Sequence, residues 1–255
     1  MALGMVGRRL ARFLAQPRPA YGRGGPTSRM ELVAATLRRG DVLLVEGTSR
    51  FSSAIKYLTQ STWSHAALCL GAPEDGGEPW FVDVDVDVGV RRVPLSEFDG
   101  LHLRICRPVG LSAAEIDAVA GHMLDRHGYS YDLKNILDLA RYLVRQPPLP
   151  DPIKRRMLAL GSGEPTRAIC STLLAQAFGV VRYPILPEIE LLDADTAPGR
   201  RAREEILHIR HHSLYTPRDF DVSPFFQVVK PRLEAGFDFH ALVWSDAEAG
   251  PAAHG

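Results

Sequence analysis

The chain has 255 residues, 45% of them apolar, and its 30 basic side chains balance its 30 acidic ones. This length and apolar content support one sizeable buried core, so a single domain with tails is expected. A chain with no net charge lacks the strongly basic composition that is typical of a nucleic-acid-binding protein. No apolar run approaches the roughly 20 residues that a membrane-spanning helix needs.

The N-terminal segment differs in charge from the rest of the chain. Residues 1–30 hold six arginines and no acid, with Gly and Pro clusters that interrupt regular structure, so they are predicted to form a flexible basic leader. A short amphipathic helix carrying Leu10, Phe13 and Leu14 is the alternative, and it would contact a membrane surface. One domain is expected over residues 31–245 and a disordered tail over residues 246–255.

The cysteines and the N-terminus together indicate a compartment. Three cysteines cannot all pair, and their spacing matches neither a disulfide framework nor a zinc module. The N-terminal arginines are not followed by a clean export signal. A cytoplasmic protein with reduced thiols, peripheral at the membrane if the leader binds lipid, is therefore expected.

Apolar patterns predict a mixed order of helices and strands. In chain order they predict a helix over 31–37, a strand over 42–45, a helix over 52–58, strands over 64–70, 81–88 and 101–106, and helices over 112–127, 132–144 and 168–178. Ser112 and Glu115 form a capping-box pattern that marks one helix start. Residues 225–229 and 240–244 are expected to be late strands or wrapping segments.

Cys170 is the first candidate for chemistry. It opens a small-residue, strongly helical run that follows a turn-forming Gly-Ser-Gly-Glu-Pro stretch, which predicts the thiol in the first turn of a helix. The unpaired N–H groups and the dipole of a helix start favour a thiolate and can hold an oxyanion. A cysteine at this position is more often a packing residue, so the position alone does not decide.

His65 is the second candidate, and the following strand offers acids to orient it. Alternation along the predicted strand puts Cys69 on the same side as His65, where it either lines a pocket or is buried as a packing residue. The next strand carries Asp83, Asp85 and Asp87 on one face. A histidine base needs a partner that fixes its tautomer. Asp83 is the first choice and Asp85 the second, and a solvated strand face is the alternative for each.

The order of these motifs resembles a known family. A strand after Gly40-Asp41 is followed by Ser-Thr-Trp-Ser-His65-Ala-Ala, by an acidic strand that ends in Gly89-Val90, and by Ile-Cys170-Ser-Thr-Leu-Leu-Ala-Gln-Ala-Phe. This order is similar to that of the permuted NlpC/P60 cysteine hydrolases, the YiiX/YebB-like group, in which the histidine strand precedes the cysteine. The resemblance covers roughly residues 37–245.

The resemblance implies an α+β, circularly permuted papain-like fold, with an antiparallel sheet packed against the nucleophile helix and with extra helices. It implies a cysteine hydrolase in which Cys170 attacks an amide or ester carbonyl, His65 is the base and Asp83 takes a place that is often glutamate. A peptide or lipid substrate is expected. Acyl transfer to lipids and a catalytically silent binding module are the alternatives.

The remaining candidates concern substrate contacts and metals. Cys69, Tyr131 and Asp85 are candidate substrate-binding residues, with packing as the alternative for the first two. The spacing of the C-terminal histidines could support a zinc site, but no carboxylate or cysteine cluster accompanies them; they are His208, His211 and His212. No cofactor, no metal and no nucleic-acid partner are therefore expected.

Overall fold

A computed structural model describes residues 29–85, 88–128, 169–196, 200–208 and 215–241 of the chain. The predicted helix over 132–144 and the predicted tail over 246–255 lie outside these ranges. So does the predicted leader, apart from residues 29 and 30. Within the described ranges, no helix combines the length and the apolar character needed to cross a membrane.

A six-stranded antiparallel sheet occupies the centre of the described structure, which is a mixed α+β fold. Its strands are β1 (Val42–Glu46), β2 (His65–Gly71), β3 (Trp80–Asp85), β4 (Gly89–Pro94), β5 (His102–Pro108) and β8 (Phe226–Val229). They are arranged in the order β4-β3-β2-β1-β5-β8, and each neighbouring pair is antiparallel. Consecutive strands β1 to β4 are therefore neighbours in space, as short connections favour.

Six α-helices surround this sheet in the described ranges. They are α1 (Met30–Thr36), α2 (Arg50–Thr59), α3 (Ala113–Leu124), α4 (Ile169–Val180), α5 (Pro217–Val222) and α6 (Pro231–Glu234), and 3-10 turns cover Leu95–Phe98 and Phe239–Ala241. The predicted capping box is confirmed, because Ser112 and Glu115 each accept from the other's backbone N–H at the start of α3. The predicted late segment 240–244 is a 3-10 turn at its beginning, and its last three residues lie outside the described ranges.

A separate two-stranded sheet follows α4. It consists of β6 (Glu188–Thr196) and β7 (Arg200–His208), which pair antiparallel along their whole length. The sequence patterns did not predict this hairpin. Five of the nine residues of β7 are charged, and charged residues such as glutamate are depleted in strands, so the local pattern carried no strand signal.

The central sheet is buried on both faces, and strand alternation divides the core into two clusters. In β2, Ala66 and Leu68 belong to the first cluster, together with side chains of α3 and α4. Ala67 and Cys69 belong to the second cluster, on the face that packs against α1. The predicted alternation of β2 is therefore confirmed. Its physical cause is that successive strand side chains point to opposite faces.

Strand β3 is shorter than predicted, and a turn explains the difference. The strand ends at Asp85 instead of residue 88, and residues 86 and 87 lie outside the described ranges. The Asp85 side chain accepts a hydrogen bond from the Val88 N–H at 3.1 Å, which is a common way for aspartate to start a turn. Gly89 then takes a positive φ of 79°, a conformation that glycine adopts without steric cost.

A buried ion pair joins α1, β1 and β5. The carboxylate of Asp41 accepts hydrogen bonds at 2.8 Å from both Nε and Nη2 of Arg107. It also accepts from the Arg38 N–H at 2.8 Å, and Arg107 donates to the Thr36 carbonyl. This two-point contact fixes the start of β1 relative to β5.

Candidate active site

Cys170 lies in the first turn of α4, as predicted from the sequence. It is the second residue of the helix, is 5% exposed, and belongs to the first core cluster. Helix α4 packs across β2 and β3, and the next residue, Ser171, donates a hydrogen bond to the Tyr215 carbonyl at 2.8 Å. The partial positive charge of the helix start therefore lies beside the strands that carry His65 and Asp83.

His65 is the first residue of β2, and its imidazole connects two groups. Its Nε2 lies 2.9 Å from Oδ2 of Asp83. The thiol of Cys170 is close enough to the same ring to raise the pKa of His65 through its charge and through hydrogen bonding. The His65 side chain is 24% exposed, so the imidazole reaches solvent at one edge while it links a helix residue to a strand residue.

Asp83 is the carboxylate that contacts the imidazole. It is 1% exposed within β3 and lies between two cationic groups, because Arg91 on β4 approaches its other side. Asp85, the second choice from the sequence, accepts from the Val88 N–H and has its Oδ2 3.9 Å from Nη2 of Arg91. The structure therefore brings together Cys170, His65 and Asp83, the three residues predicted to be catalytic.

The charges of this group depend on one another. Burial by itself lowers the pKa of His65, but a negative charge on Cys170 and the hydrogen bonds and charge of Asp83 outweigh it and raise the pKa to about 10. Burial by itself would raise the pKa of Asp83, yet its hydrogen bond to His65 and the positive charges of His65 and Arg91 lower it. The group can therefore hold a protonated imidazole beside an ionised carboxylate.

The other two cysteines have a different environment. Cys69 and Cys106 are completely buried, and burial is the largest cause that raises the pKa of each thiol to about 12. Cys69 lies in the second core cluster, whereas Cys170 lies in the first. Cys69 has no exposed surface, which agrees with the packing alternative, and its predicted substrate contact stays a prediction.

The other sequence candidates are only partly within the described ranges. Tyr131, a candidate substrate contact, lies outside them, as do His211 and His212. His208 is the last residue of β7. Among the described residues, no group of three or more histidine, cysteine, aspartate or glutamate side chains is placed to hold a metal ion.

Sequence reasoning did not single out Arg91, although its side chain reaches the candidate site. Its Nε donates to Oδ1 of Asp83 at 3.0 Å, and its Nη2 lies 3.4 Å from Oδ2 of the same residue. Asp83 and Arg91 are directly opposite each other in the β3–β4 pair. The signal in the sequence was an acid and a base on the two arms of one hairpin, but the register that makes them partners was not known.

Comparisons with known proteins add little to this geometry. The sequence matches no protein-family model and no curated protein. Among solved structures, the chain is similar to the crystal structure of metalloprotein yiiX from Escherichia coli O157:H7, DUF1105. The two chains are 15% identical, the likeness covers 76% of this chain and 96% of that chain, and the TM-score is 0.44. A likeness at this level says nothing about chemistry.

Proposed function

We propose that the chain is a cysteine hydrolase that cleaves an amide or ester bond in a peptide or lipid through Cys170, His65 and Asp83. The observation that carries this proposal is one imidazole that lies 2.9 Å from the Asp83 carboxylate and near enough to Cys170 for that residue to raise its pKa. The helix that begins beside Cys170 packs across the strands of both other residues. Cysteine nucleophiles are activated by an adjacent base that a third group orients, and this arrangement supplies all three parts.

The proposal includes a circularly permuted papain-like fold of the NlpC/P60 type. Two observations support it. The histidine strand β2 precedes the cysteine helix α4 in the chain, and that helix packs across β2 and the neighbouring strand β3. The pairing of a nucleophile helix with an antiparallel sheet that carries the base is the arrangement implied by the sequence resemblance.

The reaction follows from the positions of these groups. The Cys170 thiolate attacks the substrate carbonyl, and the first-turn N–H groups of α4 stabilise the negative charge that develops on the carbonyl oxygen. The carbon–heteroatom bond then breaks, and the His65 imidazolium donates its proton to the leaving amine or alcohol. Neutral His65 next removes a proton from water, which attacks the thioester and releases a carboxylic acid and Cys170.

The first test compares the alkylation rates of the three cysteines as a function of pH. Iodoacetamide labelling is read by peptide mass spectrometry in the wild type, in His65→Ala, and in His127→Ala as a control at an exposed histidine. We expect Cys170 alone to label rapidly near neutral pH, to slow in His65→Ala, and to keep its rate in the control. Because Cys69 and Cys106 are completely buried, they provide internal references for unreactive thiols.

One result of this experiment would refute the proposal. If Cys170 labels no faster than Cys69 or Cys106 in the wild type, the imidazole does not activate it, and a catalytically silent binding module becomes the better description. If Cys170 is reactive, incubation with activated esters of short acids tests the next step. A covalent mass increase on Cys170 that decays in water supports hydrolysis, whereas decay only on addition of an alcohol or amine supports acyl transfer.

Peripheral membrane contact through residues 1–30 is proposed as one route to a lipid substrate. The basis is the six arginines without acids in that segment, which would be attracted to anionic lipid headgroups. Co-sedimentation with vesicles that contain phosphatidylserine tests it. If the chain without residues 1–30 binds these vesicles as well as the full chain does, this segment is not the contact.

A further inference from the structure

The carboxylate of Asp83 lies between two cationic groups, and only one of them belongs to the proposed triad. His65 contacts Oδ2 through Nε2 at 2.9 Å. Arg91 approaches from β4, with Nε 3.0 Å from Oδ1 and Nη2 3.4 Å from Oδ2. The guanidinium therefore contacts both oxygens of the carboxylate, including Oδ2, which His65 also contacts.

The contact with Arg91 compensates for the burial of the Asp83 carboxylate. A carboxylate that is 1% exposed has lost nearly all contact with water, and an unpaired buried carboxylate tends to take up a proton. A neutral Asp83 would no longer stabilise a positive charge on His65. Arg91 supplies a permanent positive charge next to the carboxylate, because an arginine side chain does not lose its proton in proteins.

The positive charge of Arg91 costs little to desolvate, because the side chain is only partly buried. Its side chain is 30% exposed, and its Nη1 donates to Oε1 of Glu97 at 3.2 Å. Its Nη2 also lies 3.9 Å from Oδ2 of Asp85. The charged groups that face Arg91 are thus Asp83, Asp85 and Glu97, so its desolvation is compensated by three carboxylates and by water.

The backbone holds this pair in place. Asp83 and Arg91 are directly opposite each other on β3 and β4, and side chains at opposite positions on one face of a strand pair are neighbours. A planar guanidinium that contacts both carboxylate oxygens restricts rotation of the carboxylate, which a single lysine ammonium cannot do. The direction of Oδ2 toward His65 is therefore set from the β4 side.

We propose that Arg91 is a positioning residue of the candidate active site, which keeps Asp83 ionised and oriented so that Asp83 can hold the His65 imidazolium beside Cys170. This inference rests on the proposed function. Arg91 does not contact the substrate carbonyl in the proposed mechanism. It acts through Asp83 and His65, and the titratable groups that face the imidazole itself are Asp83 and Cys170.

The test measures the pH profile of Cys170 alkylation in Arg91→Met and Arg91→Lys. Arg92→Met is the matched control, because Arg92 is the next residue on β4, is exposed, and stacks over the Trp80 ring at 5.7 Å. We expect Cys170 in Arg91→Met to label about tenfold more slowly near neutral pH, since a charge-assisted hydrogen bond to the acid is lost. We expect Arg91→Lys to recover part of that rate and Arg92→Met to match the wild type.

A role in folding alone predicts a different result. It would lower the thermal stability of Arg91→Met but leave the midpoint of the alkylation profile unchanged in the folded protein, with Cys69 and Cys106 still protected. A wild-type midpoint in folded Arg91→Met, or in the equally uncharged Arg91→Gln if the methionine variant does not fold, overturns the inference and leaves the proposed function intact. An unreactive Cys170 in the wild type is a separate result, which removes the proposed function and this inference with it.

Discussion

Replacement of Asp83 by asparagine tests the role of the carboxylate charge in the site, because the two side chains have almost the same shape. In the wild type, Oδ2 of Asp83 is an acceptor 2.9 Å from Nε2 of His65, and Oδ1 accepts from Arg91. Arg91 has no acceptor, so the asparagine carbonyl oxygen should remain on its side. The amide NH2 then faces His65 and requires Nε2 to be an acceptor. The proton of neutral His65 moves to Nδ1, and His65 can no longer take a proton from Cys170.

The size of the effect follows from the lost charge. A hydrogen bond to a charged group is worth about 1.5–3 kcal/mol, and one pKa unit corresponds to about 1.4 kcal/mol. The pKa of His65, raised to about 10 in the wild type, should therefore fall by about one to two units in Asp83→Asn. Arg91 adds to this fall, because its positive charge is then no longer balanced by the carboxylate between it and the imidazole.

The assay is a titration of the histidine rings by two-bond proton–nitrogen correlation spectra, which report the charge and tautomer of each imidazole. Asp85→Asn is the matched control, two residues along β3, and it also distinguishes the two acids that the sequence offered. We expect the His65 signals to move in Asp83→Asn and to stay near their wild-type positions in Asp85→Asn. An unchanged His65 titration in Asp83→Asn, or an equal shift in both variants, would refute the reasoning.

Two further predictions concern stability. His65 binds its proton more tightly in the folded chain than at its ordinary pKa of 6.5, so its contribution is complete below that pH and is lost as the pH rises toward about 10. Urea titrations across this window should show wild-type stability falling more steeply than that of His65→Gln; parallel curves would contradict the raised pKa. Separately, Asp41→Ala should lower the free energy of unfolding by about 3–5 kcal/mol, because the largely buried Arg107 keeps the Thr36 carbonyl as an acceptor but loses its carboxylate partner. Asp75→Ala, on an exposed loop, should change it by less than about 0.5 kcal/mol, and a similar small loss in Asp41→Ala would refute a stabilising role for the pair.

Local patterns in the sequence predicted the elements that carry the proposed triad. The alternation around His65 predicted β2 and the division of its side chains between two faces, and the helical run after the glycine turn predicted Cys170 at the start of α4. These predictions held because strand alternation, helix propensity and capping depend on residues only a few positions apart. The same locality explains an error. The alternation of aspartate and valine continues to residue 88, so the pattern could not reveal that Asp85 ends β3 by forming a turn.

Long-range contacts decided what the local patterns left open. Asp83 and Asp85 are both aspartates on one predicted strand face, so the sequence could rank them but could not show which one lies within hydrogen-bond distance of His65. Likewise, Cys69 and His65 share a predicted side of β2, yet burial in the second core cluster leaves Cys69 without exposed surface. Which acid meets the imidazole depends on how β2 and β3 align, and that alignment is set by the packing of the whole sheet.

The sequence by itself determined the candidate nucleophile, the candidate base and the elements on which they lie, because each is encoded by neighbours along the chain. Only the tertiary structure decided that Asp83 contacts His65, that Cys170 lies near enough to the same imidazole to raise its pKa, and that Arg91 on β4 contacts Asp83. These partners are separated along the chain and meet only through strand register and helix packing. The pKa shifts of His65 and Asp83 arise from these contacts, because desolvation and the proximity of charges exist only in the folded chain.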